Sequence, residues 1–244
     1  MPDHSVEIRA KVRIKADEEI TNQYSKPDKC TLIRRHLMRE KWFFDCSCPR
    51  CTDPTELGSH YSSLLCSNQK CSGPIMSTNP LDNLANWACH LCGFKVKLES
   101  VRDILITSEA LIDNPAALDG PVEHFERVLN KLSVVLHPGN YLLLDMKQKL
   151  GMMYGNIRPY TLDRMSNPAR ERKSQLCQEV VQSLSQLEAG LSSWHIAMLT
   201  ELAKMRDPAS YLDNADPGGR KGMMARFLLK DKLLTGAACL QLLE

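Results

Sequence analysis

Three observations predict an α+β fold for this 244-residue chain. Two short stretches near the start alternate apolar and polar side chains, the signature of half-buried strands. The middle is crowded with cysteine and short on periodicity. Everything after about residue 100 carries apolar residues at helical spacing.

Val6-Glu7-Ile8-Arg9-Ala10-Lys11-Val12-Arg13-Ile14 is the first alternating stretch, Lys15 to Glu18 reads as a turn, and Glu19 to Tyr24 alternates again. Pro27-Asp28 breaks the pattern, and Thr31 to Trp42 reads as a short helix capped at Thr31. Two strands and one helix cannot bury both faces of a sheet. Residues 1–45 are therefore expected to continue a domain or to borrow a partner surface. Residues 46–98, rich in Cys, Ser, Asn, Pro and Gly, are expected to be held by metal rather than by a core. Residues 99–244 read as an α-helical domain of antiparallel hairpins, loosely like tetratricopeptide repeats but without a strict consensus. Ser100-Val101-Arg102-Asp103 opens a helix running through Leu111. Pro121 opens the next, whose apolar face is Val122, Phe125, Val128, Leu129 and Leu132. Leu136 to Asn140 is a stop and restart. Tyr141 to Tyr154 is a helix bearing Leu142, Met146, Leu150 and Met153, and a polar loop follows over about 155–167. Further helices are expected near 169–188, 192–206 and 220–243, the last set off by the breaker cluster Asp213 to Gly219.

Composition excludes several classes. With 31 Lys+Arg against 29 Asp+Glu, the net charge is +2, which gives no electrostatic argument for nucleic acid. At 43% hydrophobic and 25% charged residues the chain is neither disordered nor fibrous. No apolar run approaches the roughly 18 residues of a membrane span. Met1 to Glu7 has no apolar signal core, so the expected compartment is the cytoplasm or nucleus.

The chain holds 10 Cys, eight of them between Cys30 and Cys92. In a reducing compartment such clustering points to metal rather than to disulfides. Cys46-x-Cys48-x2-Cys51 places three thiolates where they can converge on one zinc ion, which favours tetrahedral sulfur. A fourth ligand has to come from elsewhere, and Cys30, His36 and His60 are the candidates within the chain. Cys66-x4-Cys71 and Cys89-x2-Cys92 form two pairs separated by 17 residues, like a zinc ribbon. In Cys89-His90-Leu91-Cys92-Gly93, backbone N–H groups can point at the sulfurs and Gly permits the tight turn. His90 is expected to face solvent. Pattern alone reads Tyr24 as a strand-end aromatic and Trp42-Phe43-Phe44 as packing.

A resemblance gives those aromatics another meaning. Ala10-x6-Asp17-Glu18-Glu19-Ile20-x3-Tyr24, Arg34-Arg35-x-Leu37 and Trp42-x-Phe44-x-Cys46-x-Cys48-x2-Cys51 resemble the end of a SET domain and its post-SET zinc loop, in the SMYD branch of SET protein methyltransferases. Asp53 to Gly58, the further Cys pairs and Leu136-His137-Pro138-x2-Tyr141 resemble the C-terminal part of arthropod SMYD-like proteins. The resemblance implies that residues 1–45 are a remnant of SET β structure. It implies that Tyr24 lines a lysine channel and orients the target amine toward the methyl of S-adenosylmethionine, and that Phe44 packs on the cofactor's adenine. Cys46, Cys48 and Cys51 become post-SET zinc ligands. The implied partner is a protein, as binding partner or as substrate, histones included.

The chain departs from the family pattern in four places. It contains no Gly-x-Gly cofactor loop, no Asn-His-x-Cys segment, which supplies the fourth zinc ligand in the family, and no MYND finger. Trp42 stands where active members can carry a Tyr, and an indole only donates a hydrogen bond. Two functional readings result. One is the C-terminal portion of a zinc-binding, SET/SMYD-type protein-lysine methyltransferase-like protein, without activity as this short chain. The other is a zinc-stapled helical scaffold that binds protein and does no chemistry.

Overall fold

The structure, a computed structural model, describes residue 10 and residues 12–68, 70–113, 120–187 and 193–206. The expected helix near 220–243 and the breaker cluster before it lie outside these residues.

Among the described residues, neither N-terminal alternating stretch forms a strand. Residues 12–14 and 19–24 are irregular and exposed, with Ile20 80% exposed. Val6 to Arg9 and Lys11 lie outside the described residues. Alternation gives a segment two faces, but a strand also needs a neighbour for its N–H and C=O groups. Among the described residues none runs beside it. The turn between does form, with Glu18 N–H donating to Lys15 O at 3.3 Å.

Helix α1 spans Thr31–Trp42. Its cap differs from expectation. Cys30 is the extended residue before the first turn and its side chain accepts no capping bond. Thr31 is already helical, and its N–H donates to Glu56 Oε1 at 3.0 Å. A carboxylate distant in sequence thus satisfies a donor that a cap side chain would normally take.

Residues 46–98 are not held by metal chemistry alone. Helix α2 (Pro49–Thr52) is followed by β1 (Leu64–Leu65), β2 (Pro74–Ser77), β3 (Trp87–Cys89) and β4 (Lys95–Val96). These strands form one antiparallel sheet in the order β1-β2-β3-β4, in which Leu64 faces Ile75, Ile75 faces Cys89 and Trp87 faces Val96. Leu64, Ile75 and Trp87 are buried and join the cluster that the helices pack into. The expectation missed this because strands of two to four residues are too short to display a period.

The helical stretch follows the sequence closely. Helices α3 (Leu98–Ile112), α4 (Pro121–Leu132), α5 (Tyr141–Met153), α6 (Asn167–Leu187) and α7 (Ser193–Arg206) pack in succession, α4 on α5, α5 on α6 and α6 on α7. All five predicted core residues of α4 are buried. In α5 the predicted Leu142, Met146, Leu150 and Met153 are buried, and so are Tyr141, Leu143 and Leu144, because neighbours surround this helix. Gly151 is needed where α6 crosses, since a Cβ there would sit 2.9 Å from Cys177 Sγ. Asn140 caps α5 by accepting from Leu142 N–H at 3.0 Å, and its Nδ2 donates to Ser63 O at 2.9 Å. Leu65 N–H donates to Val135 O at 2.8 Å. The sheet and the α4–α5 turn are therefore joined through the backbone.

Lys173 is fully buried and donates to Gly151 O at 2.8 Å, Tyr154 O at 2.6 Å and Glu201 Oε2 at 2.5 Å. This ties α6 to the end of α5 and to α7. Removing one member of such a pair strands a buried charge. We expect Glu201→Ala to lower unfolding free energy by about 3–5 kcal/mol. Replacing both Lys173 and Glu201 by Met should cost much less, and chemical denaturation of the two variants checks the difference.

Candidate functional site

The candidate site has three parts, two thiol clusters and an aromatic trio, and one buried ion pair connects two of them to the core.

The first thiol cluster sits on the sheet. Cys66 lies just after β1, Cys71 before β2, Cys89 at the end of β3, and Cys92 in the β3–β4 turn. Their four sulfurs lie within 4.8 Å of one another, with Cys66–Cys92 and Cys71–Cys89 each at 3.6 Å. Four thiolates around tetrahedral zinc, at bonds of about 2.3 Å, stand about 3.8 Å apart. The donor set and spacing therefore fit zinc. Gly93 has φ +72°, the left-handed turn expected after the second ligand of the knuckle. Gly73 N–H points at Cys71 Sγ (3.4 Å). Burial acts to raise the Cys89 thiol, but N–H groups of Cys92 and Leu91 and the neighbouring thiols prevail and bring it to about 7. His90 is exposed, as expected.

The second cluster, Cys46, Cys48 and Cys51, also has its sulfurs within 4.8 Å. Arg35 reaches from α1 to donate to Cys46 O at 2.5 Å, and Arg39 pairs with Asp45 at 2.5 Å. Cys51 N–H and Thr52 N–H both donate to Cys48 O. Burial raises the Cys51 thiol to about 12 against the opposing charge of Arg34. At Cys48 burial is outweighed by the Cys51 N–H, the two neighbouring thiols and Arg34, so the shift is downward. Among the described residues no fourth His, Cys, Asp or Glu joins these three. Cys30, His36 and His60 all stand outside the group. Cys30 is buried at the start of α1, where burial first and the Glu56 charge second raise its thiol to about 12.

The aromatic trio brings the two sequence-derived candidates together. Tyr24 meets Phe44 edge to face at 5.2 Å and Trp42 at 5.5 Å. Such T-shaped contacts are favoured by the ring quadrupoles. Phe44 is two residues before Cys46, so the trio adjoins the three-thiol cluster along the chain. Tyr24 is 48% exposed and Trp42 54%, which leaves an accessible aromatic surface.

Sequence reasoning missed the ion pair. Arg50 lies between two candidate ligands, yet it is buried, with Nε at 2.9 Å from Glu56 Oε2. Its other nitrogens donate to Pro27 O at 2.9 Å and Lys29 O at 2.8 Å. Glu56 accepts from Thr31 N–H and from the Ser62 hydroxyl. The only sequence sign was that Glu56 lies six residues after an Arg embedded in a Cys motif. Replacing Arg50 by Met leaves the Glu56 carboxylate buried and unpaired. We expect a loss of about 3–5 kcal/mol in stability, together with faster amide hydrogen exchange at Thr31 and in residues 28–34.

No family model matches the chain. It is 29% identical over 192 residues to the SET domain-containing protein SmydA-8, isoform B, of Drosophila melanogaster, an alignment covering 76% of this chain and 41% of that protein. Isoform A of the same protein is 28% identical over 189 residues, covering 75% and 39%. A histone-lysine N-methyltransferase, ASHR1, of Arabidopsis thaliana is 27% identical over 159 residues, covering 62% of this chain and 33% of the plant protein. The chain thus spans about two fifths or less of the length of these relatives. Over about three quarters of its length the chain is thus similar to a SET domain-containing protein of the SmydA type, and over 62% of it to a histone-lysine N-methyltransferase.

Proposed function

We propose that residues 10–98 form the zinc-held flank of a protein-lysine methyl-transfer site in a SMYD-like SET protein, and that the helices after Leu98 form its protein-facing support. The observation that carries this reading is the contact of Tyr24 with Phe44 beside a three-thiol cluster. In methyl transfer the neutral lysine amine attacks the sulfonium methyl in line, so the C–N bond forms as the S–C bond breaks. The rate gain comes from alignment and from keeping the amine desolvated. Tyr24 would orient the amine by its hydroxyl, and Phe44 would pack on the adenine of S-adenosylmethionine. Cys66, Cys71, Cys89 and Cys92 would hold one zinc ion and Cys46, Cys48 and Cys51 a second, both serving to fix the backbone. The plant relative is named a histone-lysine methyltransferase, which makes histones the first substrates to test.

A second reading has its own observation. Of the groups that the family uses to hold the cofactor, the chain supplies Phe44 but neither a Gly-x-Gly loop nor an Asn-His-x-Cys segment. By itself it would then act as a zinc-stapled helical scaffold for a protein partner. The two readings separate in one assay on the 244-residue chain. We expect radiolabelled methyl transfer to histones and other proteins to stay at background, and calorimetry to detect no micromolar binding of S-adenosylmethionine. Turnover that Tyr24→Phe abolishes would instead place the whole activity in this chain.

The metal assignment makes a separate prediction. Cys89→Ser should release close to one zinc equivalent, measured by mass spectrometry of the native protein, and speed amide exchange over residues 60–95, because structural zinc supplies folding free energy. Cys30→Ala should leave the zinc count unchanged, since Cys30 is not part of either group.

A further inference from the structure

A cavity of about 70 Å³ lies where the segment before α1 meets α3, α5, α6 and α7. None of Tyr24, Phe44 or the clustered thiols lines it, so it is separate from the site described above. Its walls include Asp28, Tyr61, Glu109, Tyr141, Gln148 and Trp194. Three of these present polar atoms without a hydrogen-bond partner, namely Asp28 Oδ1, Glu109 Oε2 and Gln148 Nε2. Glu109 is 4% exposed and Gln148 3%, so bulk solvent does not satisfy them. Buried polar atoms without partners are uncommon in folded proteins, and each calls for a ligand, a water or a role.

The chemistry of the walls narrows the choice. The lining carries four acids, Asp28, Glu109, Asp113 and Asp145, and two bases, Lys29 and Lys149, an excess of acids over bases. Lys149 is already engaged with Asp145 at 2.8 Å. Glu109 Oε1 accepts from the Tyr141 hydroxyl at 3.1 Å, which fixes the carboxyl and leaves Oε2 to the cavity. The terminal amide of Gln148 can turn to present either its N–H or its oxygen. Carboxylates backed by aromatic rings form the recognition surface of an organic cation. Size excludes larger ligands. One water needs only about 10–15 Å³ of such space, whereas drug-sized ligands occupy clefts of about 300 Å³ or more.

We propose that this cavity binds the head of a compact organic cation, a primary ammonium or a guanidinium, with Glu109, Asp28 and Gln148 at its polar end and Tyr61, Tyr141 and Trp194 around its stem. That head can come from a basic side chain of a protein partner or from a small free amine. Glu109 adds a property that can be measured. Burial pushes its carboxyl up to about 7, against the Tyr141 hydrogen bond and the Lys29 charge, with Asp113 and Asp145 acting upward as well. The groups around it are Asp28, Lys29 and the buried Cys30 thiol before α1, Tyr61, Asp113 after α3, and Tyr141, Asp145 and Lys149 on α5. The walls from α6 and α7 add Val180, Leu184 and Trp194, which carry no charge. A carboxyl at about 7 goes from about one-tenth to nine-tenths ionised between pH 6 and 8, so affinity for a cation should rise about tenfold over that window.

The test is titration of the full 244-residue chain followed by the indole N–H resonance of Trp194, assigned as the signal absent from Trp194→Phe. We expect n-butylammonium and a short lysine-containing peptide to give saturable shifts, and neutral n-butanol to give none. A peptide that binds more tightly than the free amine identifies a protein side chain as the source, and the reverse order identifies a small amine. Glu109→Gln keeps the shape and removes the charge, and should weaken binding about tenfold while melting as the parent does. Should that variant not fold, the pH profile of the parent chain decides. Failure of both ammonium probes to saturate, equal response to n-butanol, or an affinity that neither pH nor Glu109→Gln alters would overturn the proposal and leave a cavity filled by water. None of these outcomes bears on methyl transfer.

Discussion

The pairing of Arg50 with Glu56 is the constraint on which the rest of the structure depends. Arg50 reaches Glu56 at 2.8 Å, with side chains 7% and 2% exposed. Taking two charges out of water costs several kcal/mol per ion unless their remaining donors and acceptors are met. Here they are met by four further groups at once. Arg50 donates to two carbonyls before α1, and Glu56 accepts from the first N–H of α1 and from Ser62. The guanidinium also lies over the Tyr61 ring at 5.3 Å. Because Arg50 sits between Cys48 and Cys51, the same pair sets where the three-thiol loop stands relative to α1.

Glu56 can point inward only because the backbone around it turns in an unusual way. Glu56, Leu57 and Gly58 follow one another at φ +50°, +63° and +76°. For Glu and Leu this conformation costs on the order of 1–2 kcal/mol each. Asp53 offsets part of that by accepting from the N–H groups of Thr55 and Leu57, both at 2.8 Å. Just beyond the turn, Tyr61 O accepts from Tyr141 N–H at 2.9 Å, and Ser63 O accepts from His137 N–H and from Asn140 Nδ2. The strained turn, the buried pair and the start of α5 are thus consecutive links of one chain of contacts. Gly139 is required at the last of them, because a Cβ there would run into the Ser59 carbonyl.

What the sequence made legible was whatever is local. The knuckle could be read because its ligands are three residues apart and the following Gly93 has to turn left-handed. Helix α4 could be read because one face is buried and the other wet, so Val122, Phe125, Val128, Leu129 and Leu132 stand out at helical spacing. Helix α5 was only half legible, since a helix packed on several sides also buries Leu143 and Leu144 and loses its contrast. The sheet was hidden by the brevity of its strands. The region before α1 misled in the opposite sense: its alternation is real, but period alone does not provide the neighbour that would pair with Glu19 to Tyr24. The ion pair and the cavity were illegible for a common reason. Whether Arg50, Glu56, Glu109 or Gln148 is buried depends on segments far away in sequence, and nothing in the neighbouring residues marks it.

The aromatic trio shows how this non-local order reaches the candidate site. Helix α1 ends at Phe43, whose φ of +57° is left-handed and whose N–H closes the last turn on Arg39 O. The reversal leaves Phe43 itself 89% exposed and sends Trp42 and Phe44 toward the same ring, that of Tyr24. A bulky residue holds such a conformation only when its flanks are fixed. On one side Arg35 and Arg39 grip Asp45 and the Cys46 carbonyl. On the other, Arg34 Nε donates to Ser25 Oγ at 3.0 Å, one residue past Tyr24. Three arginines of a single helix therefore position both partners of the Tyr24–Phe44 contact, and that helix begins at the N–H held by Glu56. The geometry of the candidate site is set at the far end of α1, by a charge pair that touches neither Tyr24 nor Phe44.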